Sequence, residues 1–584
     1  MKIAKRLLPA LLGGASLLCL APAALHAEPA PAAALATAPA PPERDARPNI
    51  VLIVVDDLGY SDLSAFGSEI QTPNLDALAA SGVQLTNFHA SPACSPTRAM
   101  LLSGVDNHIA GVGTMVEVIA PEQVGVPGYE GVLNDRVVPF PALLQKAGYH
   151  TFMVGKWHLG MKDGQGPQDR GFDHSFALLN GGADHFTQGG TIFAAPKASY
   201  RDDGALVDLP ENFYSTDFYT DRILQNIQGV DDQKPFFAYI AYTAPHWPLQ
   251  APDEYLDRYR GVYDVGYEEI LNRRIERMKA KGLIAEEVQA APSPGVWPEW
   301  SELSAEEKAK EARRMEVYAA MIANLDDNVG RLVSELKRTG QYDNTVFVFF
   351  SDNGAEGSDA EDISEKNREW IQATFDNSLE NMGRRGSFIG YGPNWARVSS
   401  GPFRLFKAFT YEGGFRTPAF VAGPGVRPSV SDAYVNVKDW APTFLQWAQA
   451  RHPAQDGADV PPLQGLSAVP FLTGQSDQVH PADATHCLEL FGRVAVQQGD
   501  YKLTYSNSPW GSGDWELYDM RSDPTETRDL SQAEPEQLAV MKSAWATCER
   551  DNNILWTPAI AGKNAYGNTS VHFPERQIDV RTKD

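Results

Sequence analysis

Cysteine is scarce in this chain, with 4 in 584 residues. So few exclude a small disulfide-stapled scaffold and a multi-cysteine zinc or iron–sulfur centre. Positive charge is also short. Lys and Arg total 50 against 75 Asp and Glu, a formal net charge of −25. That balance argues against nucleic acid as a partner. After Ala27 no apolar run is long enough to cross a bilayer. No internal repeat is present, which excludes solenoids and propellers. What remains is ordinary globular composition, 43% hydrophobic and 21% charged, in a chain long enough for a large core and two domains.

Met1–Ala27 has a basic start (Lys2, Lys5, Arg6), an apolar run from Leu7 to about Ala24, and small residues near Ala27. That is the pattern of a secretory signal peptide. A membrane anchor is disfavoured because Pro9, Gly13, Gly14 and Pro22 interrupt the run. The mature protein is therefore expected to be exported, periplasmic or secreted, with no membrane span. Residues 28–47 are rich in Ala and Pro and read as a linker. Cys19 leaves with the signal. Cys487 and Cys548 could pair in an oxidising compartment, but the sequence does not place them together.

Asn49–Val55 (N-I-V-L-I-V-V) is continuously apolar and β-branched, as in a strand buried on both faces. Val83–His89, His150–Val154, Pro235–Tyr242 and Thr345–Phe350 read as further strands. Pro73 opens a helix that stops near Gly82, and Phe140–Ala147 is another. Ser304–Thr339 is the clearest helix. Ser304 and Glu307 make a capping box, and Met315, Tyr318, Ile322, Leu325, Val329, Leu332 and Leu336 form one apolar stripe. The alternation predicts an α/β fold, a large mixed or mostly parallel sheet covered by helices on both faces. This catalytic domain is expected over 48–470. Beyond it, Arg493–Gln497, Tyr501–Tyr505 and Trp515–Asp519 read as short strands and Glu534–Arg550 as a helix, a smaller α+β domain over 471–584. Arg258–Pro298 and Ala355–Pro402 look inserted and could rim a site.

Two acidic pairs stand just past predicted buried strands, Asp56–Asp57 and Asp352–Asn353. Ligands of open α/β sheets gather there. Three carboxylates and one amide oxygen make a hard oxygen cage, suited to Ca²⁺ with Mg²⁺ as competitor. Ser91–Gly104 reads S-P-A-C-S-P-T-R-A-M-L-L-S-G. Pro96 suits a first helical turn and Gly104 a stop, so Cys94 falls at a helix N-terminus with Arg98 on the same face. Backbone N–H groups and a guanidinium there favour a tetrahedral oxyanion. Lys156 and His158, two apart in an extended segment, should point the same way. His246 and Lys407 are uninformative taken singly.

The C-S-P-T-R motif, followed by A-M-L-L-S-G, resembles the signature of type I sulfatases. The likeness continues at Asp56–Asp57, Lys156-Trp157-His158, His246, Asp352-Asn353-Gly354 and Lys407…Glu412-Gly413-Gly414, in family order from about Asn49 to Pro418. The resemblance is closest to bacterial arylsulfatases. It implies an alkaline-phosphatase-like fold and a formylglycine made from Cys94 by a formylglycine-generating enzyme. It also implies one divalent metal held by Asp56, Asp57, Cys94 as formylglycine, Asp352 and Asn353, with Ca²⁺ expected. Arg98, Lys156, His158, His246 and Lys407 would surround the sulfate. The implied activity is hydrolysis of small sulfate monoesters, aryl sulfates preferred. Trp157, Trp247 and the aromatic residues of Ala355–Pro402 (Trp370, Phe388, Tyr391 and Trp395) are expected as walls for the aryl group. A phosphonate or phosphate ester hydrolase with the same centre is one alternative. A sulfated-sugar sulfatase is another, for which Arg384, Arg385, Asn394 and Arg397 would serve.

Overall fold

The structure, a computed structural model, describes residues 46–192, 195–230 and 233–557. The signal segment 1–27 and nearly all of the 28–47 linker lie outside the described residues. Ten strands form the central sheet. The expected strand Asn49–Val55 lies in its middle, parallel to Thr345–Ser351 on one side and Phe236–Ala241 on the other. His150–Lys156 and His174–Leu178 continue the parallel run. Ala419–Ala422 is antiparallel beside Thr345–Ser351, and the hairpin Tyr200–Asp202 with Ala205–Val207 closes the far edge. The sheet is mixed, with its central strands parallel.

Alternation along Asn49–Val55 sends side chains to two separate cores. Val51, Ile53 and Val55 pack with Met315, Tyr318, Ile322 and Leu325 of the helix Ala305–Arg338. Ile50, Leu52 and Val54 pack with Met100 and Leu102 of the Cys94 helix and with Leu144 and Phe444. This is why the strand carries no polar alternation. Ser304 caps the long helix and closes a box with Glu307, as its sequence predicts.

Arg258–Pro298 is not a loose excursion. It contains the helix Tyr267–Ala280, whose Ile270, Leu271, Ile275 and Met278 join the first core. Buried Arg274 pairs with Asp62 at 2.6 Å and Glu69 at 2.7 Å. Arg274 is therefore an internal partner, which the mixed charge pattern of the stretch disguised.

The C-terminal part is a four-stranded antiparallel sheet of Thr485–Leu490, Arg493–Gln498, Tyr501–Tyr505 and Trp515–Asp519. Helix Pro535–Asp551 covers one face with Met541 and Trp545 on Val494, Val496, Leu503 and Leu517. A disulfide joins Cys487 to Cys548, whose Cα atoms are 6.3 Å apart, tying strand to helix. Among the described residues no helix is long and apolar enough to cross a membrane.

Candidate active site

The site grows from the carboxyl ends of two adjacent parallel strands. Val55 is in register with Ser351, and the Asp352 amide donates to the Val55 carbonyl at 3.0 Å. The two acidic pairs therefore stand abreast. Asp57 takes a left-handed φ of 67°, and its N–H donates to Asp352 Oδ1 at 3.4 Å. Asn353 Nδ2 donates to Asp57 Oδ1 at 2.7 Å and to the Gly354 carbonyl at 2.8 Å. Gly354 has to be glycine, because a Cβ there would lie 2.0 Å from the Gly413 carbonyl oxygen. That contact locks the D-N-G segment onto the E-G-G segment.

Cys94 opens the helix Cys94–Ser103, which Gly104 ends in the left-handed conformation at φ 69°. Its Sγ lies 4.0 Å from Asp57 Oδ1. One ligand atom each from Asp56, Asp57, Cys94 and Asp352 lies within 4.8 Å of all the others. Arg98, one turn into the helix, places Nε and Nη2 on Asp352 Oδ2 at 3.0 and 2.7 Å. Its Nη1 donates to the Lys156 carbonyl at 2.7 Å. Lys156 Nζ meets Asp56 Oδ2 at 2.7 Å. Lys407 Nζ lies 2.8 Å from Asp57 Oδ1 and 2.9 Å from Glu356 Oε2. His246 Nε2 is 3.5 Å from Asp57 Oδ2, while its Nδ1 bonds the Trp247 carbonyl. His158 Nε2 pairs with Glu117 Oε1 at 3.1 Å.

Electrostatics sharpen the picture. Burial and the neighbouring carboxylate of Asp56 push Asp352 up, against the pull of Arg98 and Lys156. Burial also pushes Asp57 up, but Lys407, His246 and Lys156 together hold it below the usual carboxylate range. Burial opposes the charge of Lys156, but Asp56, Cys94 and Asp352 together more than offset it, so the ammonium is held. Burial drives His246 well below its ordinary value, toward the neutral imidazole. Burial likewise pushes the Cys94 thiol well up, away from thiolate.

Asp56 Oδ1, Asp57 Oδ2 and Asn353 Oδ1 are buried acceptors with no hydrogen-bond donor. Such groups are costly unless something satisfies them. Three hard oxygens without donors, in a cluster of carboxylates, fit one hard divalent cation.

Above this floor a cavity of about 380 Å³ opens to solvent. Cys94, His158, His246 and Lys407 reach it from below, and Met115, Val116, Val118, Met161, Ile192 and Ile363 wall it. A concave apolar pocket over a few convergent polar groups is the usual form of a small-molecule site.

Comparison with known proteins decides the family. The family described as Sulfatase matches residues 48–450, well over half of the chain. The chain belongs to the sulfatase family. A second description, N-sulphoglucosamine sulphohydrolase C-terminal, matches residues 401–550. An uncharacterised sulfatase of Schizosaccharomyces pombe is 44% identical over 528 residues, 88% of this chain and 95% of that one. An arylsulfatase of Klebsiella aerogenes is 42% identical over 408 residues, 69% of this chain and 87% of that one. The crystal structure of Ps i-CgsB in complex with k-i-k-neocarrahexaose superposes with a TM-score of 0.63 at 25% identity, covering 87% of this chain and 94% of that one. The fold is alkaline-phosphatase-like, and the protein is a sulfuric ester hydrolase.

This sulfatase brings all ten sequence-selected residues to one place, with three departures in detail. Lys156 and His158 do not point the same way. His158 has a left-handed φ of 56°, which turns its ring to Glu117 while Lys156 turns to Asp56. Trp157 is not a pocket wall. It is buried against Phe172 and donates to the Gln165 carbonyl. Of the Ala355–Pro402 aromatic residues, Phe388, Tyr391 and Trp395 are core, and Trp370 packs on Phe388. The stretch reaches the cavity only through Ser358 and Ile363. Its polar residues are also engaged elsewhere: Arg384 with Asp253, Arg397 with Glu268, and Asn394 with the Pro298 carbonyl. Arg385 lies over the Phe186 ring.

Sequence reasoning missed Glu117 and Glu356. Glu356 follows D-N-G by two residues, which is a usable signal. Glu117 sits in the bland V-E-V of a short 3₁₀ turn and gave none.

Proposed function

We propose that this chain hydrolyses sulfate monoesters to an alcohol or phenol and inorganic sulfate, with aryl sulfates preferred. The nucleophile is formylglycine made from Cys94, assisted by one divalent cation, Ca²⁺ rather than Mg²⁺. The observation that carries the reading is the set of donorless oxygens on Asp56, Asp57 and Asn353, gathered with Cys94 under an apolar cavity. A bound cation would be held by Asp56, Asp57, Asp352, Asn353 and the modified Cys94, and would supply Lewis-acid stabilisation of oxyanion charge.

The other residues divide the remaining work. Arg98 and Lys156, fixed by Asp352 and Asp56, hold the sulfonyl and nucleophile oxygens. Lys407 adds charge where the leaving oxygen develops its own. Asp352 is the base for the hydrated aldehyde, whose hydroxyl attacks sulfur as the S–O bond to the alcohol breaks. His246 gives the departing alkoxide its proton. His158 assists return of the aldehyde as sulfate leaves. A plain serine ester would have no such exit. Conversion of Cys94 precedes folding, because folding buries the whole helix Cys94–Ser103 that carries it, so a formylglycine-generating enzyme acts on the unfolded chain. The leader pattern at Met1–Ala27 supports export.

The 42% identity to the Klebsiella arylsulfatase and the Trp247 ring on the cavity wall support aryl substrates. The sugar-bound relative keeps a sulfated-sugar substrate as the second reading. The test uses one purified preparation. Mass spectrometry across Cys94 should show an aldehyde in place of the thiol, and nitrophenyl sulfate should release sulfate. Full activity from unmodified Cys94 overturns the nucleophile. A sulfated monosaccharide that beats nitrophenyl sulfate in kcat/KM by more than about a hundredfold overturns the aryl preference.

A further inference from the structure

Glu117 is out of place in a pocket for anions. It lies in the 3₁₀ turn Val116–Val118, flanked by two aliphatic residues that wall the same cavity. Its carboxylate meets His158 Nε2 at 3.1 and 3.3 Å. Burial pushes Glu117 up, yet His158 holds it far down, at about 2, so it is a carboxylate at any working pH.

The rest of the wall is uncharged and largely aliphatic. Val116, Met161 and Ile363 are large aliphatic residues left 45%, 45% and 40% exposed, and all three line this one cavity. Clustered exposure of that kind marks a surface meant to be covered. Asn180, Thr191 and Ser358 are uncharged. Among the described residues that line the cavity, Lys407, His158 and His246 are the cationic types, and all belong to the reaction floor. Lys407 is already shared between Asp57 and Glu356. An alcohol bearing a second anion would find aliphatic walls and one carboxylate, with no cation to pair it.

We propose that Glu117 determines specificity by charge: with the aliphatic wall it restricts the pocket to sulfate esters of uncharged, apolar alcohols and rejects alcohols that carry a second anionic group. The inference rests on the sulfate-ester reading above and deepens it. It separates this pocket from one built for polyanionic glycans, in which further sulfates or carboxylates need Arg or Lys.

The test compares methyl para-(sulfooxy)benzoate with its free acid, which differ by one charge at the far end of the ring. In the wild type, kcat/KM for the ester should exceed that for the acid by about tenfold or more. Glu117→Gln keeps the shape and can still bond His158. It should collapse the ester-to-acid ratio toward one by speeding the acid, with the ester changed much less. A wild type that turns over both equally overturns the proposal without any variant. An unchanged ratio in Glu117→Gln, with both substrates slowed together, assigns Glu117 to positioning His158 and also overturns it. No sulfate from either ester, in protein with full aldehyde at Cys94, defeats the sulfate-ester reading instead and this inference with it.

Discussion

Arg493 Nη1 donates to the carbonyl oxygen of Ala408 at 2.6 Å. The donor belongs to the C-terminal sheet and the acceptor follows Lys407. Ala408 has a left-handed φ of 74°, and its N–H donates to the Pro92 carbonyl at 2.7 Å. A non-glycine residue holds that conformation only where its surroundings impose it. Arg493 is buried, with its guanidinium 4.2 Å from the Phe409 ring centroid. Leu490 and Phe491 of the same sheet pack on Ala93, Met115 and Ala408. The C-terminal sheet therefore clamps the segment carrying Lys407 against the segment leading into Cys94.

Arg493→Met should accordingly lower kcat for nitrophenyl sulfate by about tenfold or more, through misplacement of Lys407. Metal content should stay near one ion per chain, because Asp56, Asp57, Asp352 and Asn353 lie on segments other than the one Arg493 holds through Ala408. Arg493→Lys should recover part of the loss. Elemental analysis beside steady-state kinetics checks both halves, and unchanged kcat in folded Arg493→Met refutes the clamp.

Metal removal should abolish turnover and lower thermal stability together. Without a cation, Asp56, Asp57 and Asp352 repel one another and three buried oxygens lack partners. Chelated protein should melt lower, and Ca²⁺ should restore both melting and activity, with Mg²⁺ restoring less. Asp57→Ala should lose the ion and should not respond to added Ca²⁺. Two zinc ions per chain in the active protein would reassign the centre to the phosphatase type.

The sequence made most of this site legible for one physical reason. Asp56, Asp57, Asp352, Asn353, Cys94 and Arg98 lie at strand ends and a helix start, where local pattern shows. His246 and Lys407 sit in turns and are named only through the family resemblance. Asn49–Val55 was readable to the residue because a strand buried on both faces needs unbroken apolar residues. Asp56 and Asp352 follow their strands at once, so reading the strands put each at a carboxyl end, and the register of Val55 with Ser351 sets them side by side. The walls were not legible. Aromatic residues of Ala355–Pro402 looked available to a ligand, yet Trp395 and Tyr391 are buried by Tyr267 and Tyr318, contacts between distant segments. The aliphatic residues that do form the wall, such as Met115 and Ile363, carry no signal separating wall from core. The strand Thr485–Leu490 was missed because T-H-C-L-E-L mixes polar and apolar residues. Its Glu489 is buried as a partner of His108.

That pair makes stability depend on pH. His108 sits between Asp106 Oδ1 at 2.8 Å and Glu489 Oε2 at 2.9 Å, so both ring nitrogens face carboxylates. Burial opposes its charge, but Asp106 and Glu489 outweigh burial and raise it to about 9. The unfolded value is near 6.5. A raised value stabilises the fold fully below about pH 6.5, and that stability is lost as pH rises through about 9. The contribution is at most about 3.4 kcal/mol. Wild-type melting temperature should fall from pH 7 to pH 9.5 more steeply than that of His108→Gln. Parallel curves for the two proteins would remove His108 from the account.

The role proposed for His246 at the leaving group is chemically selective. The Nδ1 of His246 is spent on the Trp247 carbonyl, so only Nε2 is available toward the cavity. Burial favours the neutral ring, while Asp57 beside Nε2 favours the proton. Lys156 and Lys407 also disfavour the proton, and an arriving sulfate anion acts in the same sense as Asp57, toward the protonated ring. A poor leaving group such as an alkyl alkoxide depends on that proton, whereas nitrophenolate departs without it. General acid catalysis is worth about 10²–10⁴-fold where it operates. His246→Ala should therefore slow a long-chain alkyl sulfate by about that factor and nitrophenyl sulfate by less than about tenfold. Plotted against leaving-group pKa, kcat/KM should fall more steeply in the variant than in the wild type. Equal slopes, with both substrates slowed alike, would show that His246 binds sulfate or steadies Asp57 and protonates nothing.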